Sequence, residues 1–286
     1  MSSQRTPTFD AICVTSPAEV EGEDKDQDRI HWDGNQLFAC VCDGLTSSPF
    51  SDQAALYLSE HIAPALLGST EELSRSSILA ARDHLIKLRQ ECLMRPVQLS
   101  AETPLVLSEL LSEATHVHRK LSYQSTVAAL RISYDEAVDQ CIARALWCGD
   151  TGIYAFTSNG EIAWTNLALQ ESGLTAHSSK TFCFPDDAER TEVIYFVLNK
   201  QGAEIQDERR PNMETEFLLA SDGFYMAFDN IRNVWKWLHS NLNILGNKPP
   251  RLEQVSLMQE LHQKLRRTVG DDDISFVFVR PRVLTA

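Results

Sequence analysis

Four aspartates stand where apolar, strand-like runs meet turns, and their type and placement make them the residues best suited to chemistry. Leu37-Phe38-Ala39-Cys40-Val41-Cys42 runs straight into Asp43-Gly44, and Trp147-Cys148-Gly149 into Asp150. Leu218-Leu219-Ala220-Ser221 leads to Asp222-Gly223, and Asp272 introduces the apolar run that starts at Ile274. A lone ionised carboxylate at the edge of a core is costly without a partner, and a metal ion is one such partner. Hard divalent cations, magnesium or manganese, take oxygen ligands and keep several waters. Two such ions bridged by one aspartate can hold a water, lower its pKa and aim it at a phosphoryl centre. Each acid taken alone also suits a plain turn, where Asp is common for local hydrogen-bonding reasons. Spacing leaves both readings open, and the deciding question is whether the acids meet.

For them to meet, the strands must end together. Residues 9–15, 37–42, 125–132, 141–148, 153–157, 161–165, 192–198, 216–221 and 274–279 read as strands, rich in apolar, β-branched and aromatic residues. Asp33-Gly34 and Ser158-Asn159-Gly160 are turn signals. The short links among the strands from 125 to 165 require antiparallel pairing, because a parallel crossover needs a dozen or more residues. Helical periodicity covers about 51–68, where Pro64 should kink the helix, then 72–93, 107–121, 224–241 and 252–267. In the last helix Leu252, Val255, Leu257, Met258, Leu261 and Leu265 form the apolar side. The expected fold is α+β: a four-layer α/β/β/α sandwich, two antiparallel sheets face to face with helices on both outer sides. In antiparallel sheets the end of one strand lies beside the start of its neighbour, so the acids can gather at one end of the sandwich.

The totals remove several other classes. The chain has 286 residues and a formal charge of −14, with no dense Lys/Arg cluster of the kind that grips nucleic-acid phosphates. No apolar run approaches the ~20 residues that span a bilayer. The first seven residues lack the apolar core of a signal peptide. The seven cysteines read as reduced, buried residues rather than a disulfide framework, and the spacings Cys40-x-Cys42 and His116-x-His118 do not suit zinc. The expected location is therefore cytoplasmic, with no nucleic-acid or membrane partner.

Five blocks, in order, resemble those of the metal-dependent type 2C protein Ser/Thr phosphatases, the PPM family, in the form found in bacteria. They are Val41-Cys42-Asp43-Gly44, Ser125-Thr126-Val127-Ala128, Cys148-Gly149-Asp150-Thr151-Gly152-Ile153-Tyr154, Leu218-Leu219-Ala220-Ser221-Asp222-Gly223-Phe224 and Asp272-Asp273-Ile274-Ser275-Phe276-Val277. The resemblance implies a tail at 1–8 and one catalytic domain at 9–283, with a variable flap at about 166–190. It implies two manganese or magnesium ions and room for a third. Asp43 would bridge the two ions, the Gly44 carbonyl would bind one, Asp222 and Asp272 would complete the site, and Asp150 would lie near the third. Asp43, Asp222 and Asp272 would act through the water held with the ions, which attacks phosphorus directly without a phosphoenzyme. The implied substrate is a phosphorylated protein, paired with a cognate kinase system.

Three positions depart from the family pattern. The early acid block falls on Asp26-Gln27-Asp28, which makes Asp28 a ligand through water. The phosphate-gripping arginine of many members is Glu23 here, so Lys25, Arg29 or a residue from elsewhere must take that role, or phosphate affinity is low. The histidine that follows Asp-Gly in many members is Leu45. Glu23 and the missing histidine motivate one alternative, a catalytically weak or inactive pseudophosphatase acting as a regulatory binding module; a small-molecule phosphatase is the other alternative.

Overall fold

The chain alternates short, apolar strands with capped helices, and the order of elements sets the layers. The computed structural model describes residues 8–18, 27–45, 51–67, 124–135, 140–167, 169–170, 173–174, 182–183, 192–198, 215–246, 252–268 and 270–282. The expected helices at 72–93 and 107–121 lie outside the described residues, as do Glu23, Lys25 and most of 166–190.

The elements are β1 (Phe9–Ser16), β2 (Arg29–Asp33), β3 (Phe38–Cys42), α1 (Ser51–Tyr57), a π-helical turn (Leu58–Ile62) and α2 (Ala63–Leu67). Then follow β4 (Gln124–Ser125), β5 (Val127–Asp135), β6 (Gln140–Cys148), β7 (Gly152–Phe156), β8 (Ile162–Thr165), β9 (Leu169–Gln170), β10 (Gly173–Leu174), β11 (Phe182–Cys183) and β12 (Glu192–Leu198). The chain closes with β13 (Glu216–Ala220), α3 (Asp222–Tyr225), α4 (Ile231–Leu245), α5 (Leu252–Thr268) and β14 (Ile274–Pro281).

Two five-stranded antiparallel sheets result, in the orders β1-β14-β13-β7-β8 and β12-β6-β5-β3-β2. Alternation along the strands builds the layers. Phe217 and Leu219 of β13 and Val277 and Val279 of β14 join Ala39, Val41, Ala128, Leu130, Ala143 and Ala145 in the core between the sheets. Leu218, Ala220, Phe276 and Phe278 point the other way, into a second core with Val234 and Leu238 of α4 and Leu261 and Leu265 of α5. Each such buried side chain contributes about 2 kcal/mol. On the far side, Ala54, Ala55, Leu58, Ala63 and Leu67 are buried along α1, the π turn and α2. Small residues facing each other across the sheets allow close approach, and Trp147 meets Trp164 edge to face at 5.6 Å beside that core.

Local chemistry moves several boundaries from those expected. Leu37 does not open β3; it sits at φ 48° and closes the turn, with Asp33 Oδ1 accepting from Asn35 N–H and Gln36 N–H. Pro64 acts upstream: it has no N–H to donate and crowds the carbonyl one turn before, and the five residues Leu58–Ile62 form a π turn. The helix expected at 224–241 is two helices. Asn230 breaks the run because its side chain accepts from Asn233 N–H and caps α4. In α5 the apolar side is split: Met258, Leu261 and Leu265 are buried, but Leu252 is 87% exposed and Val255 48%.

Candidate metal centre

Strand register gathers the acids. Arg29 pairs with Cys42, so Asp28 enters β2 beside the point where β3 delivers Asp43. In the other sheet Ala220 stands opposite both Gly152 and Phe276, which brings the end of β13, the start of β7 and the start of β14 together. Asp222, Asp150 and Asp272 are attached to those three ends. All five acids therefore lie at one end of the sandwich, and they feel each other across it. Burial pushes the Asp43 carboxyl well above the usual carboxylate range, and Asp28, Asp222, Asp272 and Asp150 push it further. Burial raises Asp28 as well, with Asp273 and Asp272 adding to it, while the nearby hydroxyls of Ser275 and Ser221 offset a little of the rise. Asp272 is pushed up to about 7, by burial first and then by Asp222.

The two glycines that follow acids owe their identity to close approach. A Cβ at Gly44 would stand 2.9 Å from the Gln27 carbonyl oxygen and 2.9 Å from Ser51 Cβ. One at Gly223 would stand 2.1 Å from the Asp273 carbonyl oxygen and 3.3 Å from Asp272 Cβ. Neither glycine has a positive φ. Each is small because another acid-bearing segment passes against it: the chain before Asp28 at Gly44, and Asp272-Asp273 at Gly223.

Backbone contacts hold the acids in place. The Asp43 carbonyl accepts Thr126 N–H at 2.7 Å and Ser125 Oγ–H at 2.8 Å, and Thr126 Oγ1 in turn meets Thr151 Oγ1. This clamp interrupts the expected strand 125–132 at Thr126, dividing it into β4 and β5. Gly149, at φ 99°, turns the chain toward Asp150. Tyr225 Oη–H donates to the Asp150 carbonyl at 2.9 Å, joining that turn to the helix headed by Asp222. Phe224 stacks on Phe276 at 4.3 Å and seats the same helix against β14. Asn166, at the start of the expected flap, accepts Ile153 N–H at 2.6 Å and donates to the Thr151 carbonyl at 3.1 Å.

Asp273 is a residue that sequence reasoning missed. It is buried, and its two oxygens accept Ala18 N–H at 2.7 Å and Gln27 N–H at 2.8 Å. One carboxylate thus pins both ends of the acidic segment 19–26 and fixes the approach to Asp28. The available signal was the doubled acid Asp272-Asp273 ahead of a strand. Replacing Asp273 with alanine frees both amides, and the expected result is a manganese affinity weakened about tenfold. Asparagine removes the same charge but keeps one oxygen acceptor, so its affinity should fall between alanine and wild type. Calorimetric manganese titration of the two variants checks this; equal affinities for alanine and asparagine would show that the clasp has no role.

The donor set suits a hard cation. Both Asp28 carboxylate oxygens and Asp222 Oδ1 are buried with no hydrogen-bond partner among the described residues. Arg29 does not neutralise Asp28 through its carboxylate; its guanidinium donates to the Asp28 carbonyl at 2.6 Å. Gly44 is buried and bridges to Ser125, and Leu45 follows it. Lys25 lies outside the described residues. Among the described residues no three His, Cys, Asp or Glu side chains stand close enough to form a ready-made ligand set for one ion.

The raised acids carry a stability consequence. In metal-free protein the folded state holds the Asp272 proton to about pH 7, whereas the unfolded chain releases it near 3.8. The unfolded state therefore binds fewer protons between those values, and stability falls as pH rises through that window. The melting temperature of metal-free protein should be lower at about pH 8 than at about pH 5.5 relative to an Asp272→Asn variant, and manganese should cancel the difference. A relative melting temperature that rises over that range contradicts the assignment.

The protein phosphatase 2C sequence profile matches residues 19–266 of the chain. No curated protein matches its sequence significantly. Solved structures do match in fold. The serine/threonine phosphatase Stp1 from Staphylococcus aureus is 14% identical with a TM-score of 0.54, covering 98% of this chain and 99% of that one. PppA, a regulatory component of the type VI secretion system of Pseudomonas aeruginosa, is 12% identical with a TM-score of 0.53, covering 97% and 100%. The catalytic domain of the phosphatase PstP, solved with two manganese ions, is 11% identical with a TM-score of 0.50, covering 96% and 99%.

Proposed function

The chain belongs to the protein phosphatase 2C family, and on that premise we propose that it is a metal-dependent protein Ser/Thr phosphatase acting on phosphoserine and phosphothreonine. The observation that carries this reading is the buried carboxylate of Asp28, without a hydrogen-bond partner among the described residues, in the same acid cluster as Asp43, Asp222 and Asp272. Asp43, Asp222, Asp272 and the Gly44 carbonyl would hold two ions, manganese or magnesium, with Asp28 reaching one of them through water and Asp150 beside a third position. Bound there, the ions would supply Lewis-acid stabilisation of charge developing on the phosphoryl oxygens.

The chain's own residues do the rest. Ser125 and Thr126 hold the Asp43 backbone, so its carboxylate is aimed without strain on the strand. Gly44 and Gly223 let the acid-bearing segments close on one another. Arg29 is half-buried at the mouth of β2, and with Lys25 it is the assigned grip for the phosphate; Glu23 would repel it. Leu45 offers no proton to the leaving alcohol, so that proton comes from solvent in the site rather than from a side chain at this position. The segment 166–190, fastened at Asn166, is the assigned cover of the substrate groove, and 9–283 the catalytic domain. The substrate is a phosphoprotein in the cytoplasm, phosphorylated by a cognate kinase. No described helix is long and apolar enough to cross a membrane.

The test is hydrolysis of an aryl phosphate and of a phosphopeptide with and without manganese. Turnover of both that a chelator abolishes is the expected result. No metal-dependent turnover contradicts the proposal, and a strong preference for small phosphorylated metabolites over phosphopeptides would replace it with the small-molecule reading.

A further inference from the structure

Away from the acids, α5 and the end of β1 are joined by a hydrogen bond between His262 Nε2 and Ser16 Oγ at 3.0 Å, but the join is incomplete. A groove of about 430 Å³ lies between them, within the size range of ligand sites. One wall is the last three residues of β1, Val14 to Ser16, with Pro17; the other is two adjacent stripes of α5, Gln254/Met258/His262 and Val255/Gln259/Gln263. Its ionisable side chains are Arg266, which is already ion-paired with Asp271, and His262, whose Nε2 is engaged by Ser16 Oγ at 3.0 Å; the rest are uncharged. A phosphate or carboxylate would thus find no free cation there. Three glutamine side chains each carry the carbonyl acceptor and N–H donor that a peptide unit carries. Val255, on the rim, and Leu252, one turn before it, are large apolar residues left in solvent. Among the described residues β1 is the edge of its sheet, paired with β14 alone; a strand edge offers main-chain groups to another chain.

We propose that this groove docks an extended, uncharged peptide segment of a partner protein, laid along the edge of β1 with its main-chain amides on the glutamines and an apolar side chain over Val255 and Leu252. The groove is joined to the acids by short hydrogen-bonded paths. Thr15, on its wall, accepts Ser275 Oγ–H at 3.0 Å, and Ser275 N–H donates to Ser221 Oγ at 3.0 Å, directly before Asp222. Pro17 leads to Ala18, whose N–H lies on Asp273.

The experiment is calorimetric titration of the full chain with capped hexapeptides: alternating Ser and Val, alternating Ser and Asp, alternating Ser and Lys, and a phosphoserine version. Neither turnover nor added metal is needed, so the result stands apart from that of the phosphatase assay. The Ser–Val peptide should bind saturably and at least about tenfold more tightly than the charged ones. Val255→Glu and Gln259→Glu replace exposed side chains, so the fold survives them, and each should weaken binding about tenfold. Leu56→Glu, at an exposed apolar residue elsewhere, should not change it. Failure of the Ser–Val peptide to saturate, equal or tighter binding of a charged or phosphorylated peptide, or full affinity in both groove variants would overturn the proposal.

Discussion

Replacing Asp43 with asparagine should remove phosphatase turnover and, at the same time, raise the melting temperature of the metal-free protein. The two effects have one cause. Burial and four neighbouring acids all oppose ionisation of the Asp43 carboxyl. Asparagine keeps the shape and leaves the clamp on the backbone untouched, because Ser125 and Thr126 bond the carbonyl rather than the side chain. Removing the charge relieves the repulsion and should stabilise the apo protein by about 1–2 kcal/mol, or about 2–4 °C. The same change deletes the proposed bridging ligand, and turnover should fall by about 10³ or more. Thermal melts in chelator and rates in manganese measure the pair. A variant that loses activity and also loses apo stability would mean that the carboxylate makes favourable contacts of its own, against the electrostatic account.

Gly223→Ala should do the opposite to stability and the same to activity. The added methyl meets the Asp273 carbonyl oxygen at 2.1 Å, and backbone is a neighbour that cannot rotate away. The expected cost is about 3 kcal/mol, a fall of roughly 6 °C in melting temperature. Because the displaced segment carries Asp272 and the Asp273 clasp, manganese binding should weaken as well. Gly44→Ala meets its neighbours at 2.9 Å, one of them a serine Cβ, and should cost less. If Gly223→Ala melted and bound manganese like wild type, the view that this glycine draws two acids together would be wrong.

The strands were legible because their residues announce themselves. Apolar, β-branched runs with turn signals between them place β3, β6, β7, β13 and β14 within a residue or two of where they lie. The gathering of acids was legible as a possibility, since antiparallel ends meet. What could not be read was order within each sheet. β14 inserts between β1 and β13, a pairing across more than 250 residues that no local pattern encodes. The role of Asp273 was hidden for the same reason: its partners, Ala18 and Gln27, are distant in sequence and use backbone amides, which carry no residue signature. Which segments crowd Gly44 and Gly223 could not be read either, because the chains that pass them are distant in sequence. Leu37 and Pro64 show the local limit, where a left-handed turn and a missing N–H shift an element by a residue or by a helix type. Leu252 and Val255 fit the helical period but not the core; both stay in solvent.

Manganese titration of the apo protein tests the central claim most directly, because it asks for the ions themselves rather than for turnover. Wild type should bind two ions per chain with dissociation constants below about 1 mM, and Asp43→Asn and Asp222→Asn should each lose at least one of them. Absence of saturable manganese or magnesium binding in wild type, or an unchanged stoichiometry in both variants, would contradict the assignment of these acids to a metal centre.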